Sequence, residues 1–305
     1  MDPKKYRAQY SADVDASESV SRGAGNATAA VRGTRALIAE IKDTSADVAA
    51  RIEAINEGAA DAVDKPSLLK LLISLLADPA EHDQVRLSAL VALQQNTFRS
   101  AEFQPYQADF VAALRSAVTD DDKDLRERAM DILALNGDAY VQQLLVDGLR
   151  DPKSALVAPQ QALRMIGYDV HADHYGLLRD IVETSKKPKL RQAALKLLAA
   201  DSGAKDIFAR IAADPGEDAV SRSTSAIALQ AIAPEEFSTM AHAIVADDSN
   251  SDQVRATMLT ALSHGPARTT AAVTDVARAI DTAGSAKPQL KTAARQYLRV
   301  VDAGK

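Results

Sequence analysis

The stretch that decides the fold is residues 74–93, SLLADPAEHDQVRLSALVAL, in which an apolar run stops at Asp78-Pro79 and resumes at Val85. Proline has no backbone N–H and fits poorly into a continuing helix, so Asp78-Pro79 predicts the end of one helix and a turn before the next. The same dipeptide returns at Asp151-Pro152 and Asp214-Pro215. Each proline lies six residues before the first core position of the next segment, which indicates an internal repeat.

Seven segments share one apolar spacing. With the first core residue as position 0, small or apolar residues recur at +4, +5 and +8, which places them on one stripe of an α-helix. The zero positions, about 31 to 40 residues apart, are Val85, Leu125, Ala158, Leu190, Ser221, Val254 and Leu290. A helix with its own apolar stripe precedes each segment, as Leu68, Leu71 and Leu75 show for the first. Repeats of this length predict an all-α solenoid of about seven helix pairs.

The second helix of each pair carries a recurring pattern, seen in Asp83-Gln-Val85-Arg86 and Asp252-Gln-Val254-Arg255. Asp83 and Asp252 lie two residues before position 0, where we predict that they cap the helix, and Pro188 and Pro288 are predicted to occupy a first helical turn, which tolerates proline. Helix pairs of this kind resemble HEAT repeats, in the short form found in bacterial and phycobilisome-lyase proteins. The resemblance spans roughly residues 66 to 302. It implies a right-handed superhelix in which the second helices line the concave surface. Four residues depart from the pattern: Pro159, Ser221, Ser225 and Lys291.

Three regions are predicted along the chain. Residues 1–33 are rich in Gly, Ser and Asp without a firm period, which predicts a mobile arm. Helical spacing begins at Thr34, and we expect capping helices over residues 34–65, because an open array needs its end covered. The repeat array then occupies residues 66–305. An arm that binds a partner as a peptide is the alternative for the first region.

Composition disfavours several kinds of partner. The 305 residues carry a formal net charge of −6, with a pI near 5.5, which does not favour nucleic acid or an anionic membrane. No apolar stretch approaches the roughly 18 residues that span a bilayer, and no secretory signal is visible. Without cysteine there is no disulfide or thiolate chemistry. We therefore predict a cytoplasmic protein with a protein partner.

Motifs of catalysis and metal binding are mostly missing. The chain has no G-x-S-x-G, P-loop, G-x-G-x-x-G or H-E-x-x-H sequence. The spacing in His171-Ala-Asp173-His174 could gather metal ligands, although a solvated helix cap is the ordinary interpretation. The run from Asp120 to Asp124 lacks the Gly and Glu of a calcium loop and suits a helix N-terminus. The HEAT-like deoxyhypusine hydroxylases hold iron through His-Glu dipeptides, and none occurs here. We therefore predict no metal, no cofactor and no enzymatic activity.

Position +1 is Arg in five of the seven second helices and Lys in another. In HEAT-like arrays such a column resembles a ladder between repeats, in which each guanidinium pairs with an Asp of a neighbouring turn. We expect this structural role for Arg86 and its equivalents.

Positions +2, +3 and +6 face away from the apolar stripe and would look into the groove that the resemblance implies. In the middle units they carry charged and amide groups, which we predict to bind a partner: Arg128, Asp131, Gln160, Arg164, Gln192 and Lys196. Arg128, Arg164 and Lys196 would form a cationic track for an acidic or phosphorylated segment. Ordinary solvation of a helix face explains the same pattern.

Aromatic residues concentrate in the long first interval between repeats. Two interpretations are open for Phe98, Phe103 and Tyr106. They belong to a loop that folds over a hydrophobic seam, or they form an exposed docking knob for a partner.

Together these features predict a non-enzymatic adaptor or scaffold that binds a protein segment through the concave face of the solenoid. Two alternatives remain. One is an enzyme-assisting or lyase-like protein that handles a small or tetrapyrrole-like ligand, which a deep pocket with converging polar groups would favour. The other is a nucleic-acid binder, which a continuous basic stripe would favour.

Overall fold

The computed structural model describes residues 32–169, 174–264 and 270–303. All regular secondary structure in these ranges is helical, as predicted, and none of their helices is long and apolar enough to cross a membrane. The α-helices are α1 Thr34–Lys42, α2 Val48–Ala59, α3 Pro66–Ala77, α4 Asp83–Asn96, α5 Ser100–Phe103, α6 Gln107–Ala117, α7 Lys123–Leu135, α8 Ala139–Arg150, α9 Pro159–Ile166, α10 Tyr175–Thr184, α11 Pro188–Leu198, α12 Lys205–Ala213, α13 Ala219–Ile232, α14 Pro234–Ala246, α15 Asp252–His264, α16 Ala271–Thr282 and α17 Pro288–Ala303. Short 3-10 helices lie at Ala62–Asp64, Gln104–Tyr106 and Ser202–Ala204.

The Asp-Pro sites end helices as the sequence predicts. Asp78, Asp151 and Asp214 are the C-terminal caps of α3, α8 and α12. In each case Oδ1 accepts a hydrogen bond from the backbone N–H two residues later, at 2.9, 3.0 and 2.8 Å respectively. Asp247, after α14, makes the same bond at 2.9 Å without a proline behind it. The aspartate is therefore the shared element of the turn, and the proline reinforces it.

In the second helices α7 and α13, a capping side chain satisfies backbone N–H groups of the first turn. Asp122 caps α7 by accepting from the Leu125 N–H at 2.7 Å, and Asp218 caps α13 in the same way. Pro188 and Pro288 are the first residues of α11 and α17, as predicted, because proline needs no acceptor there.

The prediction that Asp83 and Asp252 cap their helices is wrong. Both are the first helical residues of α4 and α15. His82 caps α4 instead, because its Nδ1 accepts a hydrogen bond from the Gln84 N–H at 3.2 Å. A neutral imidazole nitrogen can take the acceptor role that is more common for an aspartate.

Packing joins the helices first into pairs and then into a row. The pairs are α3–α4, α6–α7, α8–α9, α10–α11, α12–α13, α14–α15 and α16–α17. The second helix of each pair also packs on that of the next, so that α4, α7, α9, α11, α13, α15 and α17 follow one another in an unbroken row, which α2 extends at its start. Close packing thus joins elements that are near in sequence, as in repeat proteins. We call the side of the row that carries positions +2, +3 and +6 the second-helix face.

The predicted apolar stripe is buried between the helices. In α7, Ala129, Met130 and Leu133 are at most 1% exposed. The third unit differs, since Ala158, its position 0, is an exposed N-cap because the helix begins only at Pro159. The polar residue Ser221 is buried as well, and its hydroxyl donates to Asp218 Oδ2 at 2.6 Å, which makes it compatible with the core.

The N-terminal regions are described only in part. The predicted mobile arm lies outside the described residues except for Arg32 and Gly33. The region predicted to cap the array contains α1 and α2, which pack on each other, and α2 also packs on α4. Arg51 on α2 binds Glu81 in the turn before α4, so this region joins the array through the same kind of contact that joins the later units.

Candidate binding grooves on the second-helix face

Two grooves lie along the second-helix face. The middle groove, about 390 Å³, lies between α4, α7 and α9. It is lined by Leu87, Asp124, Glu127, Arg128, Asp131, Gln161 and Arg164. The C-terminal groove, about 690 Å³, lies between α13, α15 and α17. Most of the residues that line the two grooves occupy positions +2, +3 and +6. The packing of the second helices therefore directs these side chains into the grooves.

Arg164 is already paired within the middle groove. Its Nη2 lies 2.9 Å from Oδ1 of Asp131 on the neighbouring helix, and its guanidinium also contacts the Tyr168 hydroxyl. Tyr168 donates to the same Asp131 oxygen at 2.9 Å, and the Arg164 guanidinium carbon lies 5.6 Å from the centre of the Tyr168 ring. A guanidinium that already pairs with a carboxylate and stacks on an aromatic ring attracts a further anionic partner less strongly.

Arg128 and Lys196 have no carboxylate partner among the residues that the structure describes. Arg128 Nε and Nη2 donate to the Gln94 side-chain oxygen on α4, at 3.1 and 2.8 Å, and this acceptor is neutral. Lys196 is exposed on α11, and no hydrogen bond or ion pair engages it in the described part of the chain. Of the three cations in the predicted track, two are therefore available, one on α7 and one on α11.

The two glutamines of the predicted site have different surroundings. Gln192 Nε2 donates to Asp218 Oδ1 at 3.1 Å and so links α11 to the cap of α13. Gln160 is exposed in the first turn of α9, and its neighbour Gln161 lines the middle groove in its place. The structure therefore brings Arg128, Asp131 and Arg164 together and leaves Gln160, Gln192 and Lys196 outside that groove.

The larger groove was missed by sequence reasoning. It is lined by Ile227, Gln230, Ala256, Thr257, Thr260, Ala261, His264, Gln289, Thr292, Ala293 and Gln296. Ala256, Thr257 and Thr260 look featureless in the sequence because they carry no charge. Their small size was the available signal, since short side chains at positions +2, +3 and +6 leave open space between helices.

The aromatic residues of the first interval divide into two kinds. Phe103 is 1% exposed, and its ring packs edge-on against Phe110 with the ring centres 5.5 Å apart. Tyr106 is half-buried against the core, with its ring centre 6.5 Å from that of Phe103. The docking-knob prediction is therefore wrong for Phe103, which closes a hydrophobic seam. Phe98 is 87% exposed and is the member of the set that a partner could reach.

Part of the arginine column forms the ladder that the resemblance implies, whereas Arg255, among the described residues, bonds only the Val245 carbonyl of its own helix pair. Arg86 is buried, and its Nη1 lies 2.5 Å from Asp120 Oδ2 in the turn of the next unit. Its Nη2 also donates to the Leu76 carbonyl at the end of α3, at 3.3 Å. Arg191 makes the equivalent bidentate pair with Glu217. Each such rung ties one helix pair to the following one.

The ion pairs between units shift the pKa values of Glu81 and Arg191. The Arg51 guanidinium hydrogen-bonds both oxygens of Glu81, and this lowers the pKa of the Glu81 carboxyl. In the opposite sense, Glu217 raises the pKa of Arg191 through its side-chain hydrogen bonds. Both shifts favour the charged forms, as expected for hydrogen-bonded ion pairs.

The ladder changes at the third unit. Arg126 donates to the Leu156 carbonyl at 2.9 Å rather than to a carboxylate of the next turn. Pro159 then occupies position +1 of α9 and has no side-chain donor. On the acceptor side, Glu81 and Glu217 each lie four residues before position 0 of their units, but in the fourth unit this place is taken by Lys186, which is a cation. Within the described residues, position +1 therefore supplies no ionic rung to the joint between α9 and α11.

The acidic run has an ordinary explanation, whereas most of the candidate metal site is not described. His171 and Asp173 lie outside the described residues, and the described ones contain no group of three or more His, Asp or Glu side chains arranged to hold a metal. In the acidic run, Asp122 caps α7, which confirms the helix-start interpretation for this carboxylate. Asp120 instead accepts from Arg86 and so belongs to the ladder.

Comparison with known proteins finds structural similarity but no family. No family model and no curated protein matches the chain. Among solved structures, it is similar to human deoxyhypusine hydroxylase in complex with glycerol, at 14% identity and a TM-score of 0.33. The match covers 78% of this chain and 89% of that one. That enzyme is an all-helical protein of the HEAT type.

The same match corrects the prediction that the chain is not an enzyme. A protein with a HEAT-like helical fold can be a hydroxylase, so the repeat architecture gives no ground for excluding catalysis. At this identity and TM-score, the reaction of that enzyme is not transferred to this chain.

Proposed function

We propose that the chain binds a segment of a partner protein along the second-helix face of a right-handed, HEAT-like superhelix of about seven helix pairs. The observation that carries this proposal is the unbroken row from α4 to α17, which places two grooves on one face. A small ligand would occupy a single groove, whereas a polypeptide segment can contact both.

The length of the face suits an extended segment. Packed helices lie about 8–10 Å apart, so seven second helices present a face roughly 50–60 Å long. An extended chain advances about 3.3 Å per residue, and about sixteen residues would therefore cover it. Surfaces of this kind, long and built from stacked units, are the usual binding faces of solenoid proteins.

The available charges indicate how the middle of the segment would be recognised. We propose that two acidic or phosphorylated side chains of the partner meet Arg128 on α7 and Lys196 on α11, one for each cation, because neither cation has a carboxylate partner within the described residues. Asp124 and Glu127 also line the middle groove and would repel a uniformly acidic segment. A segment with two acidic groups at defined positions fits this arrangement better than a polyanion.

A position-specific crosslinking experiment tests the proposal. A photoreactive amino acid is placed at Gln160, exposed on α9, or at Gln143, exposed on the first helix α8 of the same pair. In cells that naturally make the protein, Gln160 should give a discrete protein adduct and Gln143 should not. The crosslinked partner peptide is then identified by mass spectrometry and synthesised, and the free peptide should compete for adduct formation.

Charge reversal supplies the matched control for that experiment. Arg128→Glu with Lys196→Glu should weaken competition by the synthetic peptide, while Lys70→Glu, an exposed change on α3, should leave it unchanged. Equal adducts from Gln160 and Gln143, or an adduct with nucleic acid or a small molecule in place of protein, would contradict the proposed function.

A further inference from the structure

The described lining of the C-terminal groove is uncharged, in a chain in which 26% of the residues are charged. Among the described residues that line it there is no Asp, Glu, Lys or Arg, and His264 is the one titratable group. A charged side chain that entered this groove would lose water without gaining a counter-charge, which is unfavourable. The groove therefore selects an uncharged occupant.

One wall of this groove is aliphatic. Ile227 lines it and is 55% exposed, and Val220, seven residues earlier on α13, is 41% exposed. Residues seven apart lie on the same side of a helix, two turns from each other. Ala256 and Ala293, on the two following second helices, leave space beside Ile227. An apolar wall with open space next to it matches an aliphatic side chain of an occupant.

The opposite wall presents amide groups. Gln289 and Gln296 are seven residues apart on α17 and both line the groove. Gln289 has no partner within the described residues, and Gln296 Nε2 lies 2.8 Å from His264 Nε2, so that the carbonyl oxygen of Gln296 stays available. A glutamine amide both donates and accepts, and so it can pair with a backbone peptide group.

Two of the three threonines that line the groove add little competition for these amides. Thr257 donates its hydroxyl to the Gln253 carbonyl at 3.0 Å, and Thr292 donates to the Pro288 carbonyl at 2.9 Å. Each of these two hydroxyl protons is thus used by the threonine's own helix. The side-chain amides and the Thr260 hydroxyl are the main donors left to hydrogen-bond an occupant.

We propose that the C-terminal groove binds an extended, uncharged peptide segment, with an aliphatic side chain against Ile227 and its backbone against Gln289 and Gln296. An extended segment fits because its N–H and C=O groups are unpaired, whereas a helix has already used its own. This inference rests on the proposed function and names the chemistry of the segment at this end of the face.

The probe is a pool of capped ten-residue peptides made of Leu, Val, Ser, Asn and Gly. Two matched pools carry two Glu or two Lys, and a fourth pool carries N-methyl groups on alternate backbone amides. The full chain is equilibrated with each pool, and bound peptides are quantified by mass spectrometry. The uncharged pool should be enriched at least about five-fold over the other three, because charge is excluded and N-methylation removes backbone donors. Equal enrichment of the charged or N-methylated pools would overturn the proposal.

Substitutions inside and outside the C-terminal groove test whether the peptides bind there. Thr260→Arg places a long cation in the middle of the groove and should abolish enrichment of the uncharged pool. Thr282→Arg, an exposed change at the end of α16, is the matched control and should have no effect. If Thr260→Arg lowers the melting temperature, Gln289→Ala with Gln296→Ala replaces it, and unchanged enrichment in that variant refutes the assignment. Crosslinking at Gln160 does not depend on this groove, so its success alongside a failed peptide test would leave the proposed function intact and reject this inference alone.

Discussion

Replacing Arg86 by methionine should destabilise the protein strongly. Arg86 is 2% exposed and bonds both Asp120 and the Leu76 carbonyl. Methionine keeps most of the aliphatic stem but leaves the Asp120 carboxylate, whose side chain is 11% exposed, without its cation. Removing one partner of a buried pair typically costs about 3–5 kcal/mol, because the remaining charge is uncompensated. We expect a loss of that size in the free energy of unfolding.

Urea denaturation followed by far-UV circular dichroism measures this loss, with Arg278→Met as control. Arg278 pairs with Asp275, but the two side chains are 54% and 73% exposed, so the control should cost about 0–1 kcal/mol. Adding Asp120→Asn to Arg86→Met should recover part of the stability, since no buried charge then remains. A contrary result would be that Arg86→Met lowers the free energy of unfolding no more than Arg278→Met does, while the slope of that free energy against urea concentration is unchanged. The pair of Arg86 and Asp120 would then not stabilise the contact between the first two helix pairs.

Two further predictions concern the core and acid stability. Leu198→Ala, in the buried stripe of α11, should cost roughly 2–5 kcal/mol in urea denaturation, whereas Lys196→Ala on the same helix should stay within about 0.5 kcal/mol. Equal costs would mean that the faces of α11 are assigned wrongly. Because Arg51 lowers the pKa of Glu81 in the folded protein, their pair stabilises above the unfolded pKa of about 4.3, and this contribution disappears as the pH falls through the folded pKa. Glu81→Gln should therefore flatten the acid limb of the plot of stability against pH, and an unchanged limb would contradict the assignment.

Helices and turns could be predicted from the sequence because their signals are local. Asp78 and Asp214 end helices through bonds to residues two positions away, and the stripe through Leu133 follows from the helical period alone. The capping error at Asp83 arose because two residues in succession, His82 and Asp83, can accept from a helix start. Only the backbone geometry decides which of them lies outside the helix.

The candidate site was harder to predict because its contacts join different units. The pairing of Arg164 with Asp131, on the preceding second helix, depends on which rotamer a long side chain adopts across a groove. Gln192 likewise looks free in sequence but donates to Asp218 in the next unit. Position on a helix face could be inferred, whereas the partner of each side chain could not. The C-terminal groove was also hard to predict, because it arises where side chains are short and not where a particular chemical group is present.

The rungs determine how such an array can change in length. Each joins a donor in one helix pair to an acceptor 26 to 34 residues later, as in Arg191 to Glu217 and Arg222 to Asn250. Deleting the complete pair α12–α13 would present the turn of Asn250 to Arg191 in place of the turn of Glu217. Deleting half a pair would instead place a first helix where that turn belongs, and the guanidinium would lose its acceptor. A joint that carries a rung is therefore preserved when whole helix pairs are gained or lost, a property that the joint between α9 and α11 does not share.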